Sequence, residues 1–253
     1  MVSLIDADLL LYRAMFKFIE GEPEYSTVGG ETFTFGEYTS GLEEAKIWLK
    51  DFITELGDVL AAKGTLLAFS DRYNFRKLIT NTYKSNRKEL LPEQREFLGS
   101  LRTWMCKKWS SRSIRYLEAD DLMGILATGY PGDYKICSID KDLLQIPGQH
   151  YNWNTQEEYE VSPEEGEYQF YTQVLTGDST DGYLGCRGVG PVKAKKYLDL
   201  DCSWEGIKEI YRQKGQSAKD ALETAWLAKI LTREDYEDRG VIHLYKGPQL
   251  YIS

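Results

Sequence analysis

Acidic residues gather in this chain where apolar, strand-like runs stop. In SIRYLEADDLMGILATGYPGDYKICSIDKDLL, residues 113–144, the runs 114–117 and 134–139 are followed by Glu118, Asp120 and Asp121 and by Asp140 and Asp142. The run VSLI at 2–5 delivers Asp6, with Asp8 two residues on, and TLLAFS at 65–70 delivers Asp71. In an open α/β sheet, ligands bind outside the carboxyl ends of the strands, so acids released there converge on one crevice. Converging carboxylates repel and persist only when protons or cations neutralise them. A dense Asp/Glu set without His or Cys suits hard ions with oxygen ligands, Mg²⁺ or Mn²⁺. For a single pair of acids a solvated rim is the simpler reading; four strand ends that all carry acids make it the weaker one. Asp8 has an equally good reading as a helix N-cap.

The bases are segregated from the acids. From Arg72 to Arg115 there are twelve Lys and Arg against three Glu, a local net charge of +9 in a chain whose total is −9. This stretch includes Tyr83, Lys84, Ser85, Asn86, Arg87 and Lys88 and lies, in sequence, between two groups of ligand candidates. A protein that holds cations in one place and phosphates in another needs such a division. The alternative is an ordinary solvated helix kept soluble by its bases.

A second basic patch, residues 187–196, has four bases and no acid. It sits inside TGDSTDGYLGCRGVGPVKAKKYL, residues 176–198, where Asp178 and Asp181 at i and i+3 would share one side of a helical turn. Residues 185–198 have the form of a helix-hairpin-helix. Gly188 and Gly190 allow a tight turn that brings backbone N–H groups close to a phosphate, and Lys193, Lys195 and Lys196 follow.

Periodicity supplies the elements that must position these residues. Buried strands are expected at 2–5, 65–70, 114–117 and 134–139, with a last short one in VIHLY, and TFTF at 32–35 alternates like a hairpin strand. Amphipathic helices are expected at 9–18, 42–62, 91–109, 122–130, 168–175, 204–212, 217–230 and 232–238, while 145–167 reads as an acidic loop. The expected fold is α/β: a central, mostly parallel sheet flanked by helices over 1–170, then a helical region with the helix-hairpin-helix over 171–253. Cysteines at 106, 137, 186 and 202 show no CxxC spacing, and His150 and His243 are the two histidines, which argues against a zinc site or a disulfide framework. Asp6 and Asp8 interrupt what a signal peptide would need, and no apolar run is long enough to span a bilayer, so a soluble cytoplasmic protein without a membrane partner is expected.

The ordered set LIDADLLLYRA, FSD, YKSNR, LEADDLMG, SIDKDLLQ and TGDSTDGYLGCRGVGPVKA, spread over residues 4–198, resembles the flap endonuclease and 5′ to 3′ exonuclease family. The likeness is to the small bacteriophage forms and the 5′ nuclease domains of bacterial DNA polymerase I. It implies a PIN-like 5′ nuclease core with two divalent metals. Asp6, Asp71, Glu118, Asp120 and Asp121 would match the inner metal group, and Asp140, Asp142, Asp178 and Asp181 the second. It further implies that Lys84 and Arg87 contact the scissile phosphate at the base of a helical arch. Tyr83, Lys88, Gly188, Gly190, Lys193, Lys195 and Lys196 would then bind DNA, with a monovalent cation such as K⁺ at the hairpin. The implied partners are duplex DNA with a 5′ end or flap and RNA–DNA hybrids, engaged by a monomer in the host cytoplasm if a phage encodes it. Asp8 and Pro191 depart from the family pattern. The rival readings are a PIN-like ribonuclease, a group that generally lacks the DSTDG and GVGP block, and a non-catalytic helix-hairpin-helix DNA-binding module, which would have no use for so many acids.

Overall fold

The computed structural model describes residues 1–19, 26–28, 31–33, 38–238 and 240–252. The strands in chain order are β1 (Val2–Asp6), β2 (Ser26–Val28), β3 (Glu31–Phe33), β4 (Thr65–Ala68), β5 (Ser110–Arg112), β6 (Tyr134–Cys137), β7 (Gly148–Asn152), β8 (Glu157–Val161), β9 (Gly177–Asp178), β10 (Tyr183–Leu184), β11 (Tyr236–Glu237), β12 (Val241–His243) and β13 (Gln249–Tyr251). The helices are α1 (Ala7–Phe18), α2 (Tyr38–Val59), α3 (Arg76–Ile79), α4 (Pro92–Lys108), α5 (Ala119–Gly129), α6 (Pro163–Thr176), α7 (Pro191–Leu198), α8 (Trp204–Gln213) and α9 (Ala218–Ala228).

A six-stranded sheet has the order β5-β4-β1-β6-β7-β8. Every neighbouring pair is parallel except β7 with β8. β1 lies between β4 and β6, with Leu4 and Ile5 fully buried, which explains why VSLI is a continuous apolar run rather than an alternating one. From β1 the chain first winds to β4 on one side and later returns to β6 on the other. The direction of winding thus reverses beside the end of β1, and that reversal opens a crevice there.

Two elements differ from the sequence expectation in ways that matter for the site. Residues 114–117 are a turn, not a strand: Leu117 N–H closes on Ile114 O at 3.1 Å and Tyr116 has φ +65°. Ile114 and Leu117 are apolar because they pack into the core below that turn. The strand in this region comes earlier, as edge strand β5. Residues 145–167 contain the antiparallel pair β7–β8 and the start of α6 rather than an open loop. The outer strand β8 carries exposed Glu157, Glu158 and Glu160, charges that protect a sheet edge and hide its strand character from an apolar-run search.

In the last fifth of the chain, the helix expected at 232–238 is a single 3₁₀ turn, Arg233–Asp235, leading into β11. VIHLY supplies β12 of a small antiparallel sheet, β11-β12-β13. Within TFTF, Thr32 and Phe33 lie in β3, and residues 34–35 fall outside the described residues. The core has several centres. One lies between the sheet and α1, α2 and α4, and another joins α6 through α9 with Tyr83. A further one packs Ile242, Leu244 and Ile252 against Phe75, Leu117 and Ile125, so the final strands return to the region around α5.

Candidate active site

The acids enter the crevice from the ends of β1 and β6, the first turn of α5 and the β9–β10 turn. Asp6 ends β1 and caps α1, its Oδ1 accepting the Leu9 N–H at 3.1 Å. The cap of α1 is therefore Asp6 and not Asp8, whose Oδ2 instead accepts the Ser70 N–H at 2.8 Å, across from β4. Glu118 caps α5 and Asp120 lies in the first turn of that helix. Asp140 follows β6, and its Oδ1 accepts the Asp142 N–H at 2.9 Å, which fixes the 3₁₀ turn Asp142–Gln145 that carries the second acid.

Asp178 and Asp181 are not on a helical turn, because α6 ends at Thr176. They occupy the β9–β10 turn, where Asp178 Oδ1 accepts the N–H groups of Thr180 at 2.6 Å and Asp181 at 3.3 Å.

The electrostatics show which acids are neighbours. Burial, then the charge of Asp8 and also that of Asp140, pushes Asp6 up to about 7. Burial with the charges of Asp6, Asp140 and Glu118 drives Asp120 well above the usual carboxylate range. Burial and the charges of Asp140, Asp178 and Asp181 push Asp142 up to about 7. Asp140 itself is raised by burial and then by Asp181 and Asp178. Two overlapping sets result: an inner one of Asp6, Asp8, Glu118 and Asp120, and an outer one of Asp142, Asp178 and Asp181, with Asp140 between.

Bases close over part of this charge. Lys84 bonds Glu118 Oε1 and stands 3.4 Å from Asp181 Oδ2, while Arg87 pairs with Asp181 Oδ1 at 2.5 Å. The Tyr83 hydroxyl reaches both Glu118 Oε2 and Asp181 Oδ2 at 2.9 Å. Burial works against the charge of Glu118, but Arg76 and Lys84 outweigh it and hold the carboxyl down at about 2. The 82–87 segment is seated on the β9–β10 turn by Lys84 N–H to Asp181 O at 2.7 Å and Asn86 Nδ2 to Ser179 O at 2.6 Å. Gly182, at φ +75°, makes that seat possible, since a Cβ there would lie 2.9 Å from Thr82 O. Lys88 projects into solvent.

Two sequence candidates do not join the group. Asp121 is fully buried, with Arg76 across both oxygens at 2.7 and 2.8 Å; Oδ1 also accepts Leu231 N–H at 3.1 Å and Oδ2 accepts Glu118 N–H at 3.2 Å. Its lone pairs are spent on bracing α5. Asp71 turns outward, its Oδ2 accepting the N–H groups of Tyr116 at 2.8 Å and Tyr73 at 3.2 Å.

Sequence reading missed three contributors. Arg76 looked like one base among twelve. In the structure it is buried and, besides Asp121, reaches Glu118 Oε2 at 3.1 Å, Leu227 O at 2.9 Å and Lys229 O at 2.6 Å. Ser70 links Asp8 to α5, its Oγ accepting the Ala119 N–H at 3.0 Å. Tyr12, 38% exposed, lies at the lip of the crevice, where its hydroxyl feels Arg87, Asp8 and Lys84. The available signal was its spacing of four from Asp8, which puts both on one face of α1.

Residues 185–198 contain a turn and one helix, α7, rather than two helices about a hairpin, because the β9–β10 pair separates this turn from α6; of the two glycines only Gly188 needs a left-handed backbone. Gly188 has φ +69°, Gly190 caps α7, and Pro191 occupies its first position, where a missing N–H costs nothing in helix bonds. Lys193 Nζ donates to Gly188 O at 2.7 Å, Lys195 pairs with Asp199 at 2.8 Å, and Lys196 is exposed.

The donor set around Asp120 is all oxygen, and among the described residues no hydrogen-bond donor or base is bonded to the Asp120 carboxylate. That chemistry fits a hard divalent cation. Among the described residues, no three His, Cys, Asp or Glu close on a single point.

Comparison with known proteins shows the family and the fold. Residues 1–171 match the family model described as 5′-3′ exonuclease, N-terminal resolvase-like domain. An exodeoxyribonuclease of Enterobacteria phage T3 is 32% identical over 182 residues, covering 64% of this chain and 58% of that protein. An exonuclease of Escherichia phage T7 is 28% identical over 213 residues, 68% of this chain and 69% of that protein. The fold is shared with a bacteriophage T5 flap endonuclease solved as a pseudo-enzyme–product complex with DNA and metal ions, at TM-score 0.65 and 15% identity, over 90% of this chain and 89% of that one.

Proposed function

Because this chain belongs to the 5′-3′ exonuclease family, whose N-terminal resolvase-like domain matches its residues 1–171, we propose that it is a metal-dependent 5′ nuclease. It hydrolyses phosphodiester bonds of DNA and of RNA primers from 5′ ends or at 5′ flaps. The observation that carries this reading is the crevice itself: carboxylates from separate elements line it near enough to raise one another's affinity for protons, and Lys84 and Arg87 pair with two of its acids.

Asp6, Asp8, Glu118, Asp120 and Asp140 would hold one divalent ion and Asp140, Asp142, Asp178 and Asp181 a second, Mg²⁺ or Mn²⁺. Such a pair supplies an activated water and stabilises the leaving oxygen. The chain's own groups do the rest. Asp6, Asp120 and Asp142, whose burial and crowding raise their affinity for protons, would hold a cation in place of those protons. Lys84 and Arg87, paired here to Glu118 and Asp181, would be free to donate to a phosphate's oxygens once those carboxylates held cations. The Tyr83 hydroxyl, 2.9 Å from both Glu118 Oε2 and Asp181 Oδ2, has a single proton to share between them and bridges the inner and outer sets. The turn at Gly188–Gly190 grips duplex backbone without reading sequence, and would hold a monovalent cation such as K⁺. The protein acts as a monomer in the host cytoplasm; among the described residues no helix is long and apolar enough to cross a membrane.

A gel assay with a 5′-flap duplex, a blunt duplex and a single-stranded RNA of matched length, each in Mg²⁺ and in EDTA, tests this. Short products released from the 5′ end of the DNA substrates in Mg²⁺ alone are expected. Cleavage restricted to RNA would favour the ribonuclease, and binding without cleavage under either condition would leave only a DNA-binding module.

A further inference from the structure

Asp71, the strand-end acid that stands outside the crevice, organises the surface next to it. Its Oδ2 accepts the N–H groups of Tyr73 at 3.2 Å and Tyr116 at 2.8 Å. Two main-chain bonds zip the same pair of loops, Asp71 N–H to Leu117 O and Phe75 N–H to Tyr116 O, both at 2.9 Å. Tyr116 is held at φ +65°, a left-handed conformation that a bulky residue keeps only where its surroundings impose it.

That conformation produces a stack. The Tyr73 and Tyr116 rings lie 5.4 Å apart at 33°. The Arg115 guanidinium sits 5.8 Å from the first ring and 5.2 Å from the second, and Arg72 sits 5.9 Å from Tyr73. Tyr73 is 48% exposed, and Arg72 and Arg115 are exposed with it. Among the described residues neither guanidinium has an ion pair or a hydrogen bond, so their N–H donors face solvent unspent.

Planar rings interleaved with unpaired guanidinium groups are suited to unpaired nucleotides, whose bases stack on the planes and whose phosphates take the donors. An acidic peptide would use the charges and leave the rings idle. The platform is also continuous with the crevice. Arg76, which opens α3 just after that loop, reaches Glu118 Oε2 at 3.1 Å, and Tyr116 precedes Glu118 by two residues, at most about 7 Å of chain. A strand whose phosphate occupies the crevice therefore has neighbouring nucleotides beside the rings.

We infer that Arg72, Tyr73, Arg115 and Tyr116 form a stacking platform for single-stranded nucleotides adjoining the crevice, with Asp71 as its positioning residue. The inference rests on the nuclease reading for what brings a strand to the crevice, but its test involves no cleavage. In EDTA, fluorescence anisotropy would measure binding of the full chain to a labelled oligothymidylate of about 12 nucleotides and to an abasic strand of equal length and charge.

Wild type binds the strand with bases more tightly. In Tyr73→Ala and in Arg115→Ala that preference disappears, with affinity for oligothymidylate falling roughly tenfold. Tyr73→Phe retains it, and Asp71→Ala loses it although both rings remain. Equal wild-type affinity for the abasic strand, unchanged binding by Tyr73→Ala, or equally effective displacement by polyglutamate would each overturn the platform. A protein that shows the base preference and cleaves nothing would refute the nuclease instead.

Discussion

Two aspartates one position apart, Asp120 and Asp121, show how little residue type alone decides. Asp120 faces other acids and is driven toward protonation, whereas Asp121 faces Arg76 and is spent on a buried ion pair. Removing one partner of such a pair strands the other charge in the interior, so Asp121→Asn is expected to cost about 3–5 kcal/mol of stability. Urea denaturation in EDTA measures it; a loss below about 1 kcal/mol would show the pair to be solvated.

Proton linkage at Asp6 and Glu118 gives a second prediction. Glu118 is depressed to about 2, so its contribution is complete above its ordinary pKa of 4.5 and is lost as pH falls toward 2. Asp6 is raised from 3.8 to about 7, so in the metal-free protein its contribution is complete below about 4 and is lost as pH rises to about 7. At roughly 1.4 kcal/mol per unit the Asp6 effect is at most about 4 kcal/mol. The urea midpoint in EDTA should therefore be higher at pH 5 than at pH 7.5, with the difference shrinking in Mg²⁺. A higher midpoint at pH 7.5 without metal would contradict the crowding of acids around Asp6. Sequence made the acids visible, but it could not separate Asp8 from Asp71, because that choice depends on which carboxylate meets Ser70 N–H and which meets Tyr116 N–H.

At the scale of elements, what was legible followed the periodicity. α1, α4, α8 and α9 and strands β1, β4 and β6 carry clean apolar patterns and lie within a few residues of their expected bounds. β8 escaped because an edge strand rich in glutamate has no apolar run, and 114–117 misled because buried turn residues imitate one. The β9–β10 turn escaped for a different reason: its shape is set by Asp178 bonding its own backbone, and aspartates three apart fit a helix equally well. That turn seats Lys84 through Gly182, so under the proposed mechanism a glycine outside the acid set bears on cleavage. Gly182→Ala meets both an unfavourable φ of +75° and a Cβ 2.9 Å from Thr82 O. It is expected to cost roughly 1–3 kcal/mol and to lower the rate of flap cleavage more than affinity for duplex, since Lys84 and Arg87 shift while the Gly188 hairpin does not. Single-turnover rates beside duplex affinity in EDTA would show this, and an unchanged rate would mean that the seat does not govern Lys84.

The whole molecule is acidic, yet it divides its charge: residues 72–115 carry +9, and Arg76, Lys84 and Arg87 of that segment meet the carboxylates of the crevice. Read as a total, −9 argues against a polyanionic partner; read along the chain, the segregation of bases from acids is compatible with one. The fold class and the order of motifs were legible because strand-end acids and the hairpin glycines are local signals. The Arg76–Asp121 brace, the Asp71 loop tie and the return of the last strands to α5 were not, since each joins residues far apart in sequence. The central claim is that the outer carboxylates hold a catalytic cation. Its most direct test is the single-turnover rate of 5′-flap cleavage in Mg²⁺ by Asp140→Ala combined with Asp142→Ala, beside duplex affinity in EDTA. The account predicts a rate lower by at least about 10²-fold with duplex binding retained, whereas cleavage at the wild-type rate would contradict it.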